Sequence, residues 1–457
     1  MTAGRPLLIV AGEASGDLHA ARLLSRLAEL APEVEPFGMG GDEMVAAGLD
    51  RVADSSEISV VGLTEALKIV PRAREIFALL LEEVERRRQP GEEMVAVLVD
   101  FPDFNLRLAK ALKKRGLTVV YYISPQVWAW RRGRVRTIAR CVDRMLVLFP
   151  FEVDFYAEHG VEVTHVGHPL VDEVPELPQV WDGVGEGEAV APYRLALLPG
   201  SRKSEIEALL PSMLESARRL ARRLSGRLAD GSPDSEPGAG PPLAVRLIRA
   251  PTIPREMLQE AVAASGLAEA GVEVEIHGED RFRTIADCHL ALCASGTATL
   301  EVALLGTPML VVYKLNRWTY LAARWLVRLP HISLVNLVLE RGAVPELVQS
   351  DADPANVARE AAELLADRPR LAAMRAALGE VRQRLGEGGG SAKAARQVLA
   401  LLADRGGSGG DGTGSDSGTN SGTDSGTDSG TGNSAGTGPG DSADHPSTAT
   451  SAAEASP

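Results

Sequence analysis

The stretch LLIVAGEASGDLHAARLL, from Leu7 to Leu24, decides the fold class. It opens on four apolar residues, with β-branched Ile9 and Val10 among them, and a small-residue loop from Gly12 to Asp17 follows. Beyond the loop Ala20, Leu23, Leu24 and Leu27 stand at i, i+3, i+4 and i+7, so one helical face is apolar. A buried strand, a tight loop and an amphipathic helix in that order form one βα unit, and the unit recurs. Apolar runs at Val95–Val99, Thr118–Ile123, Met145–Phe149 and Glu162–Val166 continue it through the first half. After the Pro- and Gly-containing segment Val171–Pro192 a second series runs through Arg194–Leu198, Leu243–Ile248, Val272–Ile276, Leu290–Cys293 and Met309–Tyr313. Such alternation builds parallel sheets covered by helices. The expected class is α/β, with two doubly wound parallel sheets.

A chain of 457 residues exceeds one ordinary core and fits two domains. The first is expected over residues 1–170 and the second over 171–365. Ala- and Leu-rich helices over 366–404 are expected to pack back on the first domain, and 405–457 form a tail. That tail repeats Ser, Gly, Thr and Asp and has almost no side chain to repay the entropy of ordering, so disorder is expected. The Gly-, Pro- and Ser-dense Gly226–Pro242 reads as a surface insertion. The formal charge of -14 argues against nucleic acid as a partner. No apolar run is long enough to cross a bilayer, and Met1–Pro6 lacks the parts of a secretory signal, so a cytoplasmic location is expected. Cys141, Cys288 and Cys293 lie in apolar stretches without C-x-x-C spacing, which suits buried reduced thiols. No histidine has metal-site spacing, and Asp351 and Asp353 precede Pro354 as a helix cap would. No metal and no cofactor are expected.

In open α/β sheets ligands bind at the carboxyl ends of strands, so loops there are the candidates. Glu13 and Ser15 follow the first strand, and the loop amides with the Ser15 hydroxyl suit a phosphate or sugar hydroxyls, or else Ser15 or Asp17 caps the helix. The cluster Gly38–Gly41 lacks the last glycine of a dinucleotide fingerprint, because Glu43 stands there. Asp100, Asp103 and Asn105 end the strand Val95–Val99. Transfer to a hydroxyl needs a carboxylate or imidazole in reach of the attacking oxygen; Asp103 is the first candidate and Asp100 the second, and either could equally cap a turn or helix. Ser124–Trp130 precedes Arg131, Arg132, Arg134 and Arg136, a pairing that suits a phosphate and an acyl chain, or a solvated helix with its tryptophans turned inward. Ser201 and Arg202 begin a helix directly after a strand, where a diphosphate would bind, or else Ser201 caps the helix and Arg202 is exposed. Ser295, Gly296 and Thr297 repeat that arrangement, with Glu301 one turn into the next helix and able to accept from a ribose diol, or else Ser295 and Thr297 cap the helix and Glu301 favours its dipole.

Taken in order, Val10–Asp17, Pro102–Asn105, Ser124–Trp130, Leu198–Glu205 and Ala294–Glu301 resemble the lipid-A-disaccharide synthases, over nearly residues 5–400. The resemblance implies a GT-B glycosyltransferase of family 19 with two facing Rossmann-like domains. It implies inverting transfer of 2,3-diacylglucosamine from UDP to the 6-hydroxyl of 2,3-diacylglucosamine 1-phosphate. It carries UDP-2,3-diacylglucosamine onto Ser201, Arg202, Ser295, Gly296, Thr297, Glu301 and Asn336. It carries the acceptor onto Glu13, Ser15 and Asn105, with Asp103 as base. Arg202 and a helix N-terminus would take the diphosphate charge without a metal. Acylated substrates imply a peripheral enzyme on the cytoplasmic face of the inner membrane, touching it through Val60–Arg72 or Trp318–Leu329. A UDP-sugar 2-epimerase of similar fold, or a non-catalytic nucleotide-sugar or lipid-binding protein, are the alternatives.

Overall fold

The structure is a computed structural model that describes residues 4–58, 66–88, 93–129, 132–178, 192–225, 242–314 and 330–404. The tail 405–457, the insertion 226–241 and the stretch Trp318–Leu329 lie outside these residues, as does part of Val60–Arg72. The first sheet comprises β1 (Arg5–Ala11), β2 (Val34–Gly40), β3 (Asp50–Asp54), β4 (Val95–Val99), β5 (Thr118–Tyr122), β6 (Arg144–Val147) and β7 (Val163–His165). Its order is β3-β2-β1-β4-β5-β6-β7, and every pairing is parallel. The second comprises β8 (Tyr193–Leu198), β9 (Leu243–Ile248), β10 (Glu273–His277), β11 (Leu290–Ala294), β12 (Met309–Tyr313) and β13 (Glu346–Val348), in the order β10-β9-β8-β11-β12-β13, again parallel. Both sheets are therefore doubly wound in the same sense, as the α/β reading expects.

Three of these strands carry too weak a pattern to stand out in the sequence. β2 contains Pro36 and two glycines, β3 is mostly polar, and β13 has three residues at a sheet edge. They form because a neighbouring strand supplies the ladder: β2 pairs with the wholly apolar-cored β1 from Arg5↔Val34 to Val10↔Met39.

Alternation along β1 sorts its side chains between two cores. Leu8 and Val10 join Phe37, Leu98 and Tyr121 on one face. Leu7, Ile9 and Ala11 join Leu23, Leu24 and Leu27 on the other, together with Ala394, Ala395 and Val398 of the helix Gly390–Asp404. The last helix thus returns to the first sheet and packs against helix Ala14–Leu30. Where the chain passes between the sheets, His168 N donates to Leu385 O at 2.9 Å and Gly389 N to Asp172 Oδ1 at 2.8 Å, which ties outgoing and returning segments together. The buried His168 imidazole accepts from Leu170 N at 3.2 Å. Asp353 Oδ2 accepts from Ala355 N at 2.9 Å and so caps helix Pro354–Ala366. All three cysteines are buried and unbridged.

Candidate active site

Each sheet has one switch point, between β1 and β4 in the first and between β8 and β11 in the second. At the first, Glu13 and Ser15 are exposed at the start of helix Ala14–Leu30, and the Glu13 side chain makes no cap bond. Asp17 turns away from its own helix. Its carboxylate accepts from Gly41 N at 2.7 Å and Glu43 N at 3.2 Å, capping helix Asp42–Ala46. A Cβ on Gly41 would stand 2.5 Å from Asp17 Oδ2, so the glycine cluster serves this contact.

Just past β4 two successive non-glycine residues take the left-handed conformation, Asp100 at φ 43° and Phe101 at φ 50°. Each costs on the order of 1–3 kcal/mol and persists only where the surroundings over-determine it. Here Asp100 N donates to Tyr122 O at 3.0 Å, while Asp100 O accepts from Tyr121 Oη at 2.6 Å and Asn105 Nδ2 at 2.8 Å. The Asp100 carboxyl is pushed up to about 6, first by burial and then by the neighbouring Glu13 charge. Asp103 has a different setting. Its side chain is 70% exposed and ion-paired with Arg134.

Asn105 corrects an expectation of acceptor contact. It has no exposed surface, and its amide holds the carbonyls of Val99 and Asp100 from beneath, so it can act on the acceptor only by fixing Asp100. Trp128 is also turned inward: Nε1 donates to Glu152 Oε1 at 3.1 Å, and the ring meets Phe151 edge-on. Glu152 is buried, also accepts from Phe149 N at 3.1 Å, and is pushed up to about 7 by burial. Trp130 and Arg131 lie outside the described residues.

At the second switch point the ends of β8, β9 and β11 enclose a cleft of about 360 Å³, within the size of small-molecule sites. Ser201, Arg202, Ser295, Gly296, Thr297 and Glu301 all line it, so these expectations from separate motifs meet at one place. Asn336 does not line it. That residue is buried, donating to Val344 O at 2.9 Å and Glu346 Oε1 at 2.8 Å and accepting from Ala343 N and Val344 N. It reaches the cleft only indirectly, because Glu346 also takes Ile332 N and Ser295 Oγ donates to Ile332 O at 3.1 Å. The loop amides are already engaged as well: Glu205 Oε2 accepts from Ser201 N at 3.0 Å and Arg202 N at 3.3 Å.

Sequence reasoning missed Glu205, Arg249 and Arg281 in this lining. Arg249 immediately follows β9, so the rule that sites gather at strand carboxyl ends was the available signal. Glu301 is raised by burial, opposed by Arg281 at 3.4 Å and reinforced by Glu173. Glu173 is itself ion-paired with Arg22 of helix Ala14–Leu30, which links the two ends electrostatically. No group of three or more His, Cys, Asp or Glu suited to a metal occurs among the described residues.

Two doubly wound sheets, one ending at the strained Asp100 and the other in an arginine-lined cleft, have the GT-B type fold of nucleotide-sugar enzymes. Comparison with known proteins agrees. The family model described as lipid-A-disaccharide synthetase matches residues 7–227 and 255–400. The lipid-A-disaccharide synthase of Anaeromyxobacter sp. (strain K) is 43% identical over 396 residues, 87% of this chain and 97% of the relative. That of Myxococcus xanthus (strain DK1622) is 42% identical over 404 residues, 88% and 99%. The chain belongs to the lipid-A-disaccharide synthase family. Among solved structures, a glycosyltransferase of kitacinnamycin superposes with TM-score 0.54 at 15% identity, covering 87% of this chain and 99% of that one. A Neisseria meningitidis UDP-GlcNAc 2-epimerase superposes with TM-score 0.52 at 11% identity, covering 87% and 100%. These two likenesses show the fold alone.

Proposed function

We propose that the chain transfers 2,3-diacylglucosamine from UDP-2,3-diacylglucosamine to 2,3-diacylglucosamine 1-phosphate, with Asp100 as the base. The observation that carries this reading is the cleft that gathers Ser201, Arg202, Ser295, Gly296, Thr297 and Glu301 at one switch point. The Asp100 carboxylate takes the proton of the acceptor 6-hydroxyl, whose oxygen bonds to the anomeric carbon from the face opposite the diphosphate. The bond from that carbon to the diphosphate oxygen breaks, and its electron pair leaves with UDP. One displacement turns an α-linked donor into a β-linked product. A carboxyl pushed up to about 6 is mostly ionised at neutral pH yet basic enough to share a proton in the transition state. This ranks Asp100 above Asp103, whose exposed carboxylate is occupied by Arg134.

The acylated substrates call for contact with the cytoplasmic face of the inner membrane. Val70 on helix Ala66–Arg87 is 41% exposed, within the stretch expected to touch the membrane. The decisive assay is UDP release from UDP-2,3-diacylglucosamine in detergent, with and without 2,3-diacylglucosamine 1-phosphate. Acceptor-dependent release with a β-linked disaccharide is expected. Epimerised sugar formed without acceptor, or no release at all by folded protein, would overturn the reading.

A further inference from the structure

The donor cleft contains Arg202, Arg249 and Arg281, and their surroundings are not equivalent. Arg202 is 80% exposed and paired with Glu205 at 3.4 Å. Arg281 is paired with Glu301 at 3.4 Å, and its guanidinium lies 4.5 Å over the Phe282 ring. Arg249 makes no ion pair with any carboxylate among the described residues: Nη1 donates to Ile253 O at 3.0 Å, and Nε is buried without a partner. Its backbone is fixed as well, since Arg249 N donates to His277 O at 2.7 Å. The guanidinium lies close to Gly278, where a Cβ would stand 3.1 Å from Nη2. An alanine there would shift the guanidinium by a few tenths of an ångström.

These contacts separate the three cations by what they can offer a polyanion. The amides of Ser201 and Arg202 are engaged by Glu205, and helix Ala298–Leu304 is short, so neither supplies a ready anion site. Arg202 and Arg281 must each leave a carboxylate before they can turn fully to a ligand. Arg249 alone brings an uncompensated positive charge, on a side chain already held in place.

The geometry points to Arg249 as the main counter-charge for the donor diphosphate, a role that rests on the UDP-sugar reading of this cleft. It binds the diphosphate oxygens in the ground state and holds the charge that grows on them as the glycosidic bond breaks. Arg202 and Arg281 then join by exchanging their carboxylates for phosphate.

The test is an NMR titration of the full chain with UDP and with uridine, which keeps base and ribose but lacks the diphosphate. Arg249→Gln should weaken UDP by about 10- to 100-fold, the range for hydrogen bonds to charged groups, and leave uridine unchanged. Arg249→Lys should recover part of the loss. Gly278→Ala, which keeps every charge, should weaken UDP by a smaller factor through displacement of the guanidinium. Equal UDP affinity in wild type and Arg249→Gln would overturn the inference, as would equal loss of UDP and uridine, which would mark a role in shaping the pocket. Wild-type protein that binds neither would instead remove the UDP-sugar reading beneath it.

Discussion

The ends of β1 and β4 bring two carboxylates together, Glu13 and Asp100, whereas the ends of β8, β9 and β11 bring together Arg202, Arg249 and Arg281. The framework is the same in both: the central strand of each sheet has its reversal of order at the corresponding place. Strand order therefore sets where a ligand settles, and the charge of the loop ends sets which reacting group each half serves. Burial first, and the nearby Glu13 carboxylate second, make Asp100 resist ionisation. Guanidiniums gathered in a cleft favour a polyanion and stabilise it as a leaving group. The contrast extends to the backbone, since only the acidic end places consecutive non-glycine residues in the left-handed region.

The largest effect should come from Asp100, because its backbone is held on both sides in a left-handed turn that fixes where its carboxyl stands. Asp100→Asn should lower kcat by about 10²- to 10⁴-fold, the usual worth of a positioned general base. In wild type, kcat/KM should rise with pH through about 6 as the carboxyl loses its proton. The same substitution should stabilise the fold. A carboxyl whose folded pKa is raised to about 6 from an ordinary value near 4 opposes folding once ionised, by up to about 3 kcal/mol before solvent screening. The gain from Asn should thus be full above pH 6 and fade as pH falls toward 4. Thermal melts across that window check it; a destabilised Asp100→Asn would mean that the carboxylate holds the loop rather than waiting for a proton.

Glu301 tests the cationic end, with a smaller expected effect. Glu301→Gln should weaken UDP by about tenfold, since one charge-assisted acceptor to the ribose is lost. It should leave the affinity of 2′,3′-dideoxy-UDP nearly unchanged. Burial raises the Glu301 carboxyl, so wild-type UDP affinity should decline as pH falls through that raised value, and the decline should vanish in the variant. Equal losses for both nucleotides would assign Glu301 to holding Arg281 in place.

How much of this was legible in the sequence differs between the two ends. Apolar runs announced β1, β4, β8 and β11, because central strands are buried on both faces, while the strand order that makes their ends switch points came only with the structure. The edge strand β3 escaped, being too polar to carry a pattern. The donor motifs were legible because Ser201, Arg202, Ser295, Gly296 and Thr297 sit in loops of recognisable composition. Arg249 was not, since a single arginine after a strand leaves no local mark and its lack of a carboxylate partner is a tertiary fact. Asn105 and Asn336 stand inside recognisable motifs, yet both are buried, and only burial separates holding a loop from touching a ligand. Spacing likewise shows two carboxylates, Asp100 and Asp103, without ranking them, while the burial and the φ of Asp100 depend on Asn105, Tyr121 and Tyr122.

Asp103 is where that distinction can be measured most finely, and where the smallest effect is expected. Its side chain is 70% exposed and its carboxylate pairs with Arg134, whose own side chain is 23% exposed. A pair so open to water is worth roughly 0–1 kcal/mol, which corresponds to no more than about a fivefold change in rate even if all of it reached the transition state. Asp103→Asn should therefore lower kcat by less than about fivefold and leave the acid limb near pH 6 where it stands, because the group that titrates there is Asp100. A pH profile of kcat/KM for the two aspartate variants separates the possibilities. If Asp103→Asn removes the limb and costs a hundredfold or more, the base lies on the exposed helix turn. The strained, half-buried Asp100 would then be the residue that shapes the acceptor end, and the contrast between the acidic and basic switch points would rest on loop architecture rather than on proton transfer.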